Sequence, residues 1–493
     1  MIDTMDKHFV EKLDLSLAQS AWVQFAHYLG YFLMAMPAGW LATKLGYKGG
    51  IIAGLLLVAV GGFWFIPATN IAEFWAFLLG VCLIASGLTF LETVANPYTT
   101  VLGPSRYAAT RINIAQSCNG VGWLLAPQVG AAFFYSKNAA GGSTADETLW
   151  IPYAAIGGFV LILAVMFAFA KLPDIVTRDK FHLDDEDPAE EAKVHSPASR
   201  LLLWLNIVVL AFAIGMIFSA VAAVPAVNQN FGVPDNKALQ DAFANRVLLI
   251  SGGSLALLGT FAFLLLIRRK ITHHSIWTHP HFSGATLAQF FYVAAQAGIF
   301  TFAIFYLTDQ TPALGSSWLE GNLKDWVENR EGVIHLSNYG ATKLLTIGAL
   351  CFLGGRIIGA FLLKKFPAHR VLAVFGVLAL LSCVVVLLRL GWVSAAGVFA
   401  TYLFMSIMFP TIFSLGIHGL GKHTKQASSF IVMAIMGGAI MPKMMGHVAD
   451  VHDMTVAFLV PLGCFVPIIC YALLWGRLSG SNGVVTVDAT KGH

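Results

Sequence analysis

The sequence predicts an all-α polytopic membrane protein, on three observations. Of 493 residues, 57% are hydrophobic and only 11% charged, whereas a soluble domain carries about 25% charged residues. Thirteen apolar runs recur, each close to the roughly 20 residues that a bilayer-crossing helix needs. What lies between them is mostly short connection, with little room for a separate soluble domain. An outer-membrane barrel would read instead as weakly alternating ten-residue segments.

The runs fall near 17–41, 49–68, 75–100, 113–135, 152–170, 201–227, 246–268, 284–308, 342–364, 369–389, 391–418, 427–449 and 456–476. The most polar internal stretch, KLPDIVTRDKFHLDDEDPAEEAKVHSPASR (171–200), has an acidic centre and prolines, the composition of a flexible linker. It divides the chain into a helical half over 1–170 and a second over 284–476. Residues 201–283 form an inserted transmembrane hairpin with its flanking loop, and 477–493 a tail. The halves look related. PAGWLATKLGYKGGIIAG (37–54) parallels GRIIGAFLLKKFPAHRVLAV (355–374): glycine, a short apolar stretch, lysine, then a tight basic turn into the next run. Residues 96–130 parallel 408–446 in the same manner, each with proline, a Leu-Gly helix end, a basic loop and a small-residue helix. Two parallel six-helix halves suit an alternating-access carrier, with its site between them at mid-membrane. The count is twelve spans plus the inserted pair, less most of the first span. MIDTMDKHFVEKLDLS is too short and too polar for a complete helix, and a true start upstream of Met1 is expected.

Charge gives the orientation. With the loop after the first complete span inside, Lys and Arg are biased about two to one toward the cytoplasmic face, as the positive-inside rule expects. The C-terminus is then cytoplasmic. No basic patch stands clear of a membrane end, so nucleic acid is not an expected partner. The six cysteines all lie in apolar runs without CxxC spacing and read as buried, inert thiols. THHSIWTHPHF (272–282) is a histidine cluster, but the other histidines are scattered. It reads as an interfacial loop rather than the iron site of a membrane enzyme. No phosphate-cradling GxxxxGK[ST] loop is present, which removes ATP-driven transport. No catalytic residue, metal site or organic cofactor is expected beyond a coupling ion.

Glu92, in FLETVANP (90–97), is the residue that the composition makes conspicuous. A charged carboxylate at bilayer depth costs about 2.5–3.5 kcal/mol on insertion scales, so it must face the protein interior or a cavity. Burial disfavours the charged form, and a group so placed can take a proton on one side and release it on the other. The plainer reading is a neutral Glu bonded to a neighbouring helix. Asn96-Pro97 one turn on removes a backbone donor and is read as a hinge or a static kink. Gln116 and Asn119 are three apart, hence on one helix face, and their amides both donate to and accept from hydroxyls. They are candidate sugar ligands or an interhelical clamp. Gln24, Tyr28 and Tyr31 form a second polar-aromatic stripe. Tyr292 and Gln296 offer a counterpart from the other half, and Asn96 is a further candidate.

QFAHYLGYFLMAMPAGWLATKLGYKGG, FLETVANPYTTVLGP, RINIAQSCNGVGW, QFFYVAAQ, SIMFPTIFSLGI and SSFIVMAIMGGAIMP resemble the fucose:proton symporter family of the major facilitator superfamily. That family also holds glucose/galactose and N-acetylglucosamine permeases. The resemblance implies a major facilitator fold in a bacterial inner membrane and import of a monosaccharide by proton symport. It implies that Glu92 is the carboxylate associated with proton coupling and that Asp3 recognises sugar from the outer half of the first helix. It also implies that Gln116 and Asn119 face the central cavity. Thr43 stands where the superfamily's loop has an acid, and Lys443 where the family has an uncharged residue. The expected protein is a monomeric, non-enzymatic sugar carrier. Sodium coupling, a non-transporting sugar sensor and an inactive truncated paralogue are the alternatives.

Overall fold

The computed structural model describes residues 17–71, 74–134, 150–173, 201–209, 276–314, 326–330 and 332–480. The first half consists of α1 (Leu17–Ile71), α2 (Phe74–Val101), α3 (Ala108–Phe134) and α4 (Trp150–Phe169). α1 joins the first two predicted runs across one break. Gly46 there has φ 71°, a left-handed conformation that glycine adopts without a Cβ penalty. α1 and α2 then run side by side, and Gly87 shows how closely. A Cβ added to it would lie 2.5 Å from the Val58 nitrogen, the small-residue contact by which membrane helices approach each other. The outer face of α4 exposes Phe159, Ile162, Met166 and Phe169, a surface suited to lipid.

The second half consists of α5 (Pro280–Asp309), a hairpin of β1 (Val327–Arg330) and β2 (Val333–Leu336), α6 (Asn338–Lys365), α7 (Ala368–Leu387), α8 (Trp392–Met405), α9 (Met408–Gly416), α10 (Thr424–Met433), α11 (Gly437–Val451), α12 (Met454–Ala457) and α13 (Leu459–Leu478). α5 is its central post. It packs on α9, α11 and α13 and buries Phe282, Tyr292, Ile299, Tyr306 and Leu307. The run at 391–418 is two helices, α8 and α9, interrupted at 406–407. The run at 427–449 is likewise divided by a 3-10 turn at Ala434–Met436. The paired stretches differ in how they turn. The first half turns at Gly46; the second stops α6 at Lys365 and restarts at Ala368 with Pro367 as N-cap.

Eleven of the thirteen predicted runs thus fall in described helices, and among the described residues nine helices are long and apolar enough to cross a membrane. α3 is a continuous helix of 27 residues whose polar load, rather than its length, sets it apart. The inserted pair lies outside the described residues except for 201–209, which are helical. Asn206 donates from Nδ2 to the Ser283 carbonyl at 2.7 Å and so ties this segment to α5. Pro97 does not break α2, which continues to Val101. Two cysteines depart from the expected burial: Cys383 and Cys464 are buried, but Cys118 and Cys470 are exposed. His281 departs in the other direction. It is wholly buried in the first turn of α5, with Nε2 3.1 Å from the His418 carbonyl, and so is no part of an interfacial loop.

The halves meet along a seam at the end of the bundle that carries the turns 102–107 and 417–423. Lys425 stands over the Tyr47 ring, 4.3 Å from its centroid. Further in, Ser429 lies against Met36 and Gly39. Asn113 on α3 donates from Nδ2 to the Thr411 hydroxyl on α9 at 3.2 Å. Deeper still, the Tyr28 ring fills the space beside Gly438. Thr43 donates within its own helix, to the Trp40 carbonyl at 2.7 Å. The cation that crosses the seam here, Lys425, meets the Tyr47 ring.

Candidate functional site

The polar centre lies at the inner end of this seam, on α2 and α3. Thr89, Thr93, Asn96 and Thr100 recur at helical spacing and are all buried. Glu92 lies among them, half-buried. Asn96, one turn on, donates from Nδ2 to Glu92 Oε2. Gln116 on α3 reaches the same carboxylate oxygen from Nε2 at 3.3 Å and the Asn96 Oδ1 at 2.9 Å. Asn119 donates in turn to Gln116 Oε1 at 3.4 Å. Four side chains predicted from the sequence are therefore one connected network: a single carboxylate whose ligands are all amides. Asn119, at its far end, is exposed.

The second half contributes a residue that sequence reasoning missed. Arg356 on α6 is only 4% exposed, inside a membrane-spanning helix. Its Nη1 donates to the Gln116 carbonyl across the seam, and its Nε donates to the Ser406 carbonyl at 2.9 Å. The second acceptor is available because the chain is interrupted there between α8 and α9, and a helix end leaves carbonyls without intrahelical partners. The guanidinium also faces the Phe352 ring, 4.7 Å from its centroid. It is close enough to interact electrostatically with both Glu92 and Tyr292. The signal for Arg356 was in the sequence, since an arginine inside an apolar run is expensive and marks a site by default. It was read only as part of the GRIIGAFLLKK turn.

The remaining candidates divide. Tyr292 is fully buried on α5, its ring 6.3 Å from Phe409. Gln296, one turn further, is half-buried. Of the stripe on α1, Tyr31 is buried within electrostatic range of Glu92, whereas Tyr28 packs against Gly438 of the other half. Asp3 lies outside the described residues, as do the side chains of Gln24 and Lys443.

Two related helical bundles, closed on each other at one end around an intramembrane carboxylate and an intramembrane arginine, define a membrane carrier. Residues 4–319 match the family model described as Major Facilitator Superfamily. The L-fucose-proton symporter of Escherichia coli (strain K12) is 31% identical over 95% of this chain and 88% of its own length. A glucose/galactose transporter of Brucella abortus is 27% identical over 96% of this chain and 90% of its own length. Among solved structures, the fucose:proton symporter FucP in its outward conformation matches with a TM-score of 0.62 at 27% identity. That match covers 96% of this chain and 97% of the other. The E. coli xylose symporter XylE matches at TM-score 0.59 and 11% identity, a likeness of fold alone. The chain belongs to the fucose:proton symporter family of the major facilitator superfamily. It is an integral membrane protein and not an enzyme.

Proposed function

We propose that the chain imports a monosaccharide of the fucose or hexose class together with a proton, across a bacterial inner membrane, by alternating access. The observation that carries the reading is the bonding of Glu92. While ionised, the carboxylate is an acceptor only, and it engages the amides of Asn96 and Gln116. Protonation weakens both bonds and frees two amides. Amides that donate and accept together suit the adjacent hydroxyls of a sugar. Proton and sugar then bind in concert, because the same side chains serve both. Asn119, at the exposed end of the network, is the first of the three amides to meet the substrate. Asp3, Gln24, Tyr292 and Gln296 complete the proposed ligand set.

With the linker and the C-terminus on the cytoplasmic side, the seam closes the inner face. Arg356 holds the second half against the Gln116 carbonyl and supplies the charge that faces Glu92 when it is empty of its proton. The site lies between two halves of one chain, which supports a monomeric carrier.

Uptake of labelled fucose, glucose and galactose into proteoliposomes tests this, with a pH gradient, a sodium gradient or neither. Accumulation is expected only with the pH gradient. In Glu92→Gln, accumulation is expected to fall to the equilibrium level while counterflow exchange continues. Accumulation by that variant against a gradient would remove the coupling role, and dependence on sodium alone would replace the proton.

A further inference from the structure

Gln289 on α5 is 0% exposed, and neither its amide nitrogen nor its amide oxygen has a hydrogen-bond partner among the described residues. A buried amide with nothing to bond is rare in native structures and calls for a physical explanation. Its position supplies one. α5 and α9 pack with Ala285 against Gly416 and Tyr292 against Phe409. This antiparallel register sets Gln289 level with Ile412. It shares the α5 face of Ala285 and Tyr292, which lie four residues before it and three after. Beside Ile412 is Thr411, whose hydroxyl accepts from Asn113 across the seam at 3.2 Å. Asn113 is itself fully buried, and its Oδ1 has no partner among the described residues; the Thr110 hydroxyl, three residues earlier on α3, has none either. Unsatisfied polar atoms of both halves thus lie at one level of the bundle, those of Asn113 and Thr110 at the seam and those of Gln289 where α5 meets α9 behind it. Asn113 is three residues, and so about 4.5 Å along the helix, from Gln116.

We infer that Gln289, Asn113 and Thr411 form a second hydroxyl-binding subsite, which a sugar occupies on its way to the inner face once the seam parts. The inference rests on the carrier reading above and deepens it. The first network, around Gln116, is already internally bonded. The second is not, and a polar ligand bearing several hydroxyls is what its amides lack. Parting of the seam separates Asn113 from Thr411 and opens an aqueous path beside the α5–α9 contact that holds Gln289. The subsite contacts sugar only from the inner side, so its loss changes recognition on one face of the membrane alone.

The test compares sugar transport from the two faces, in right-side-out and inside-out membrane vesicles, with a transported hexose and its series of monodeoxy analogues. In the wild type, one hydroxyl recognised at the inner face is expected to matter about tenfold in apparent affinity, the worth of one hydrogen bond. Gln289→Leu is expected to abolish that discrimination at the inner face and leave discrimination at the outer face within about twofold. Thr411→Val, which removes only a hydroxyl, is expected to reduce it in the same one-sided manner, by about threefold. It serves if the Gln289 variant does not reach the membrane. An equal change for every analogue would reveal a mere shift of conformational equilibrium and overturn the subsite, as would a change on both faces or on neither. Wild-type vesicles that move no sugar at all would instead remove the carrier reading, and the subsite with it.

Discussion

The two surfaces that meet across the seam have unequal chemistry. The first half presents a connected polar chain from Glu92 through Asn96 and Gln116 to Asn119, on two helices. Facing that network, the second half presents Tyr292, Phe409 and Phe352 with the charge of Arg356. Yet the paired stretches of the two halves are alike in sequence pattern, even where they turn differently. The difference teaches that a repeat can hold a fold constant while the chemistry collects on one copy. A titrating network is easier to keep intact when its members move together. The opposing half can then move against it, and Arg356 carries that movement to the network through the Gln116 carbonyl.

The largest expected effect is that of Glu92→Gln, which leaves the amide network but removes its titrating member. Loss of gradient-driven accumulation in proteoliposomes, with exchange preserved, assigns the coupling to the first half. Next comes the arginine. Truncating a buried, hydrogen-bonded charge costs about 3 kcal/mol or more, so Arg356→Gln is expected to slow uptake by about two orders of magnitude. Arg356→Lys keeps the charge but cannot serve the Gln116 and Ser406 carbonyls at once with a planar fork. It is expected to regain no more than a tenth of the wild-type rate. If the lysine variant transports normally, charge alone suffices and the clasp is incidental.

Asn96→Ala and Gln116→Ala are each expected to raise the sugar KM by about tenfold, near the worth of one hydrogen bond. Because both amides bond Glu92, the double variant should cost less than the two losses added together, as groups sharing a partner do. Strict additivity in the uptake assay would break the claim that these side chains act as one network. A smaller, purely structural effect is expected from Asp453, which caps α12 by accepting from the Val456 N–H at 2.9 Å and pairs with Arg389. Partial burial on its own would raise this carboxyl. The Val456 N–H and the Arg389 guanidinium outweigh it and hold the group below its ordinary value. Its contribution is therefore complete above the unfolded value and fades only as the pH falls through the lower, folded one. Asp453→Ala should lower thermal stability in detergent by about 1 kcal/mol near neutrality, and the gap should close in strong acid.

Much of the first surface was legible in the chain. A carboxylate inside an apolar run is costly wherever it lies, so Glu92 announces itself, and the i, i+3 spacing sets Gln116 and Asn119 on one face. The second surface was harder to read. Arg356 hid in a motif that also explains a basic turn. Gln289 lies at helical spacing from Tyr292 and Gln296, and Asn113 from Gln116, but spacing gives a face and not a neighbour. Tyr28 and Tyr31 share a stripe, yet one meets the other half and the other meets Glu92, because α1 lies between the two surfaces.

By itself the sequence determined that the chain lives in a bilayer, that it is built twice over, and which carboxylate had to be kept from lipid. Hydropathy and helical period act locally, within some twenty residues, so these features are written along the chain. Which amide of α3 joins Asn96 on Glu92, and which arginine clasps that residue's backbone carbonyl, depends on contacts between residues 24 and 240 positions apart. Only the packing of α2, α3 and α6 decided that, because a hydrogen bond is set by distances of about 3 Å that no local pattern encodes.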